Sequence, residues 1–158
     1  MNLSKIFKNA LLIMLASLIL PACATKKVQN QMKGDVYTGT DTVKYLASGV
    51  ADRVFFATNE SVLTTASRDT LRKQAEWLRK NSKINVVLEG HADERGTREY
   101  NLALGERRAN AAKDYLMTYG ISANRISVIS YGKERPVVSG SKPLAWSKNS
   151  RSVTLKAN

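Results

Sequence analysis

Hydrophobic residues change their spacing several times along this chain, and each change predicts an element. Residues 10–20 are apolar except for Ser17 and follow Lys5 and Lys8. That run is about half a membrane-spanning helix, and with a basic start and small residues behind it, it predicts a cleaved secretory signal over residues 1–22. From Ala24 to about Ser48 no apolar period is sustained, which predicts a flexible tether over 23–48. Order is expected from residue 49, where Val54, Phe55 and Phe56 form a run suited to a strand. Leu71, Ala75 and Leu78 then fall at i, i+4 and i+7 among charged neighbours, an amphipathic helix capped by Thr64 or Thr65 and ended by Asn81 and Ser82. Ile84, Val86 and Leu88 alternate with other residues up to Gly90, a strand. A second helix is predicted over about 99–119, with Leu102, Ala109, Ala112 and Leu116 as its core stripe and Gly120 as its terminal cap. Residues 125–131 read as a strand ended by Gly132, 133–149 as a loop with a turn of helix near Trp146, and Val153 with Leu155 as a last strand. The order βαβαββ implies an α+β domain over 49–158, with two main helices packed on one face of a small sheet.

Length and charge narrow what such a domain does. A chain of 158 residues has room for one compact domain and some chain besides. It carries 25 basic and 13 acidic residues, and losing Lys5 and Lys8 with the signal lowers the net charge from +12 to +10. A balance this basic admits nucleic acid, anionic phospholipid, lipopolysaccharide or cell-wall polymer. Export argues against nucleic acid, because a secreted protein seldom meets it. No phosphate-binding glycine motif is present, so no nucleotide or other cofactor is expected. Cys23 is the single cysteine, which rules out an intramolecular disulfide.

That cysteine stands where the signal ends. Leu20, Pro21, Ala22 and Cys23 resemble the lipobox of bacterial lipoproteins, although Pro21 is an uncommon residue at its position. The resemblance implies cleavage before Cys23, diacylation of its thiol and a third acyl chain on the new amino terminus. One acyl chain alone binds a membrane only marginally, at ~0.8 kcal/mol per buried methylene, so several are needed for a lasting anchor. Ala24 is not the aspartate that in enteric bacteria keeps lipoproteins on the inner membrane, so outer-membrane sorting is favoured, with the domain facing the periplasm. Fully extended, the tether reaches roughly 80 Å from the bilayer.

The stretch richest in chemistry is 89–112. Asp93 falls just after the second strand, and Asn101, Leu104 and Arg108 share one stripe of the following helix at i, i+3 and i+7. If the helix start faces the strand end, Asp93 and Arg108 converge. An anion and a cation held a few ångströms apart suit a zwitterion such as an amino-acid head group. Spacing alone equally allows the two side chains simply to pair with each other. His91, the only histidine, has neither the partners for a zinc site nor a serine in a nucleophile elbow beside it, so neither catalysis nor a metal is expected. The tryptophans and tyrosines are more readily explained as core or rim residues than as a sugar platform.

The strings GHADERGT, EYN, LGERRANA, KDYL, YGI and SYGKERP, between residues 90 and 136, resemble the OmpA-like C-terminal domain family, and within it the peptidoglycan-associated lipoproteins. The likeness covers roughly residues 50–155. It implies the OmpA-like sandwich fold and noncovalent binding of the peptide stem of peptidoglycan, with Asp93 taking the ammonium of diaminopimelate and Arg108 its carboxylate. Gly90, His91, Ala92, Asn101 and Leu104 would complete the site, with Asn59 as a further polar contact. Two departures from the family pattern stand out. Ala57 replaces an acid after the first strand, and Ser150 interrupts the Asn-Arg-Arg pattern that leaves Asn149 and Arg151. The resemblance also implies partners in the Tol system, with the propeller protein TolB competing for an overlapping surface. The alternative is a basic envelope protein that holds anionic polymer by charge, without a stem-peptide site.

Overall fold

The computed structural model describes residues 44–157, which belong to the compact unit Met32–Asn158. The predicted signal, Cys23 and most of the predicted tether lie outside the described residues. Regular structure starts four residues earlier than residue 49: β1 (Tyr45–Ala47) and β2 (Val50–Ala51) form an antiparallel hairpin around Gly49. Strands of three and two residues are too short to display a period, which is why this stretch reads as tether in the sequence.

The remaining strands are β3 (Arg53–Phe55), β4 (Val86–His91), β5 (Ile126–Gly132) and β6 (Arg151–Lys156), joined in the order β3-β6-β4-β5. β4 and β5 are parallel, whereas β6 runs antiparallel to both its neighbours, so the sheet is mixed. Helices α1 (Thr65–Lys80) and α2 (Arg98–Thr118) supply the core, and a short α3 (Pro143–Asn149) occupies part of the predicted loop.

The predicted stripes are buried except at Leu102, which is only half-buried because the turn before Ala109 presents Leu104 and Gly105 inward, Gly105 against Gly90. Leu71, Ala75 and Leu78 of α1 meet Ala109, Ala112 and Leu116 of α2 over Val54, Val86, Leu88 and Ile126 of the sheet. Thr64 caps α1 by accepting from the Ser67 N–H at 3.1 Å. At the end of α2, Gly120 at φ +84 lets its own N–H reach the Met117 carbonyl and the Ile121 N–H reach that of Leu116, and both Ile121 and Leu116 are buried. This Schellman arrangement, with its apolar contact, stops the helix. Gln74 crosses the core interface: its amide donates to the Ala51 carbonyl and accepts from the Thr154 hydroxyl, both at 2.7 Å.

One approach between helix and strand governs the site that follows. Gly90 on β4 and Gly105 on α2 touch backbone to backbone; a Cβ on Gly90 would fall 1.8 Å from the Gly105 carbonyl oxygen. Nothing flexible is available to yield. Gly90→Ala is therefore expected to destabilise the domain by about 2–3 kcal/mol or more, the upper range for overpacking, whereas exposed Ser127→Ala on β5 should stay near neutral. Urea denaturation of the two variants checks this.

Candidate functional site

β3 and β4 end, and β6 begins, at the same edge of the sheet, and the loops leaving that edge carry the candidate residues. Arg108 projects from the middle of α2 beneath them and is fully buried. Its guanidinium donates to three backbone carbonyls: Glu60 at 2.8 Å and Ala57 at 3.0 Å in the loop after β3, and His91 at 2.8 Å at the end of β4. It also lies 5.4 Å from the centre of the Phe56 ring. Burial lowers its pKa to about 10, opposed by the charge of Asp93, so it stays cationic at neutral pH. These bonds leave the guanidinium with N–H groups to spare.

Asp93 sits in the turn between β4 and α2, where the start of the helix is fixed by Thr97 accepting from the Tyr100 N–H. Asn101 secures the same turn by donating to the carbonyls of Arg95 at 2.7 Å and Thr97 at 3.1 Å. The Asp93 carboxylate is only 4% exposed and accepts from Arg95 through Nε at 2.8 Å, a terminal nitrogen at 3.0 Å and the backbone N–H at 3.1 Å. Ser150 adds its hydroxyl at 3.3 Å. Burial pushes this carboxyl up, but the hydrogen bonds and charge of Arg95, with the charge of Arg108, outweigh it and hold the pKa below the usual value. Asp93 and Arg108 thus stand in each other's field without pairing: among the described residues the ion pair of Asp93 is with Arg95, and Arg108 gives its hydrogen bonds to carbonyls.

The other expected site residues take different places. Asn59 is exposed on the loop after β3 in the left-handed region at φ +58, which asparagine tolerates better than most residues. Leu104 and Ala92 are buried, and Gly90 serves the contact with Gly105. His91 enters the site through its carbonyl alone. Its ring is 1% exposed, stacks on Tyr131 at 5.6 Å and meets Glu89 at 3.3 Å. Burial, then the charges of Arg151, Arg53 and Arg135, lower its pKa to about 3.

Asn149 and Arg151 hold the preceding loop rather than face solvent. The Asn149 amide bonds the backbone of Val137 and Val138, and Arg151 donates to the carbonyls of Asn149 and Arg135. Arg95 and Ser150 are contributors that sequence reasoning missed as partners of Asp93. The one available signal was an arginine two residues beyond the aspartate; Ser150 is 57 residues away and gave none.

The OmpA family model matches residues 55–150. A peptidoglycan-associated lipoprotein of Mesorhizobium japonicum is 41% identical over 97% of this chain and 95% of its own length, and one from Brucella melitensis is 44% identical over 88% and 86%. The crystal structure of the peptidoglycan-associated lipoprotein from Burkholderia pseudomallei aligns with a TM-score of 0.65 at 31% identity, covering 67% of this chain and 90% of that one. The C-terminal domain of Helicobacter pylori MotB aligns at a TM-score of 0.63 and 19% identity over 68% and 84%, a likeness of fold.

Two consequences of this geometry are measurable. Arg108→Ala removes the shared donor of one buried and two part-buried carbonyls and empties a fully buried site, so the domain should lose about 2–4 kcal/mol in urea unfolding, with Arg108→Lys losing less because it retains a charge and some donors. His91 stays neutral in the fold down to about pH 3 but takes a proton near 6.5 when unfolded. Its contribution is therefore neutral above that range and destabilising as pH falls through it, by up to ~1.4 kcal/mol per pH unit. Melting at pH 7.5 and 5.5 should show a drop for the wild type that His91→Gln largely removes.

Proposed function

The chain belongs to the OmpA family, in the line of the peptidoglycan-associated lipoproteins, and we propose that its domain grips the wall by binding diaminopimelate of the peptide stem. That membership makes the chain a peptidoglycan-binding lipoprotein of the envelope. Diaminopimelate binding is supported by Asp93 and Arg108 lying at one end of the sheet, each in the other's field and neither neutralising the other directly. A ligand bearing an ammonium and a carboxylate on one carbon satisfies both, with charge-assisted bonds at each end. Asn59 on the adjoining loop offers an exposed amide to the rest of the stem.

The protein in this reading is held by acyl chains on Cys23 in the inner leaflet of the outer membrane. It acts by attachment and not by catalysis. Its partners are the Tol proteins, with TolB competing for the wall-binding surface and so coupling attachment to constriction at division.

Sedimentation with purified sacculi tests the reading. Wild-type protein should pellet at moderate salt, Asp93→Asn and Arg108→Lys should remain in the supernatant, and added TolB should release the wild type. Loss of all three proteins from the pellet in parallel as salt rises would mean that the net charge of +10 left after signal removal holds the polymer, and the stem-peptide site would be discarded.

A further inference from the structure

In the proposed complex an ammonium group rests on the Asp93 carboxylate, and a cation of the chain itself already occupies that place. Arg95 forks onto both carboxylate oxygens, Nε at 2.8 Å and a terminal nitrogen at 3.0 Å. The same terminal nitrogen reaches the Thr58 hydroxyl at 3.2 Å, on the loop whose carbonyls hold Arg108. The guanidinium also lies 4.0 Å from the centre of the Trp146 ring, and the indole N–H is fixed on Glu94 at 3.0 Å. One side chain therefore bridges the turn after β4, the loop after β3 and helix α3.

We propose that Arg95 is an internal competitor for the ammonium subsite, and that a stem peptide binds by displacing its guanidinium from Asp93. The inference rests on the diaminopimelate reading. With Asp93 at 4% exposure and both its carboxylate oxygens held by Arg95, this charge is not open to a ligand while the guanidinium stays in place. Arg95 is the member of the group able to leave, because its side chain is 39% exposed and a guanidinium is weakly hydrated and at ease beside an aromatic ring in water. Asp93 is fixed in the turn and Arg108 in its cage of carbonyls. Displacement takes a share of the binding energy, so the apparent dissociation constant is the intrinsic one divided by the fraction of molecules in which Asp93 is uncovered.

Removing the competitor gives an effect opposite in sign to that expected from charge. Loss of a positive residue weakens nonspecific attraction to an anionic peptide, whereas loss of an internal competitor tightens specific binding. The probe is a soluble stem peptide containing diaminopimelate, titrated calorimetrically into the full-length protein in detergent. Arg95→Ala should bind it roughly 3- to 10-fold more tightly than wild type, corresponding to Asp93 being uncovered in about a tenth to a third of molecules. Arg95→Lys should fall between them. Trp146 reports the displacement directly: its emission should change on binding in the wild type and remain unchanged in Arg95→Ala, with Trp146→Phe identifying the signal. Binding that Arg95→Ala weakens or leaves unaltered overturns the inference and leaves the diaminopimelate reading standing, provided Asp93→Asn still abolishes binding. Absence of binding by every protein overturns both.

Discussion

The buried guanidinium of Arg108 is the constraint from which the site edge of this domain is built. A charge without water must be surrounded by acceptors, and here the acceptors are three backbone carbonyls from two segments far apart in sequence. Satisfying one side chain on α2 thereby sets the path of the loop after β3 and the end of β4. Asp93, two residues beyond the His91 carbonyl, is placed by the same bond. At the opposite end of the core Arg125 has a comparable role, donating to the carbonyls of Leu78, Asn81 and Ile84 and so tying the end of α1 to the start of β5.

Arg108 reaches those carbonyls only because α2 lies very close to β4. The Gly90 and Gly105 pair brings the two backbones into contact, and the Ser130 hydroxyl, donating to the Leu102 carbonyl at 2.6 Å, holds the helix against β5 as well. Any side chain at Gly90 moves α2 outward and takes Arg108 with it. The glycine of the motif thus serves the site through packing.

How much of this was legible depended on whether an element is long enough to show its period. α1, α2 and β4 repeat apolar residues over several turns or alternations, so their buried faces could be read from the sequence, apart from Leu102 at the start of α2, which is only half-buried. The β1–β2 hairpin has too few residues to repeat anything, and only Leu46 of its strands is buried. The convergence of Asp93 and Arg108 was foreseeable from helix spacing and the order of the strand and helix. Their actual partners were not, because each lies across the fold: the Arg108 carbonyls are up to 51 residues away. His91 lies one residue past the predicted end of the strand at Gly90, yet it is the last residue of β4, beyond a register shift between Gly90 and His91, and its ring is buried against Tyr131. Irregularities of that kind leave no trace in an apolar pattern.

The topology also separates the two ends through which the proposed role would load the domain. The chain arrives at Lys44, whose N–H and carbonyl bond the Asp52 carboxylate and N–H at the start of β3, and Asp52 in turn accepts from the Thr154 N–H of β6. The Ala57 carbonyl on Arg108 lies in the loop just past the other end of that strand, five residues on from Asp52 and at most roughly 16 Å away at ~3.3 Å per residue. If the proposed wall peptide sits at these loops and the proposed anchor lies upstream of Lys44, a pull between them would run along β3. The hydrogen bonds from β3 to β6 lie across that direction, as antiparallel bonds do. Under such a pull they would bear the load together rather than one after another, even though the strand is short and lies at the edge of a small sheet.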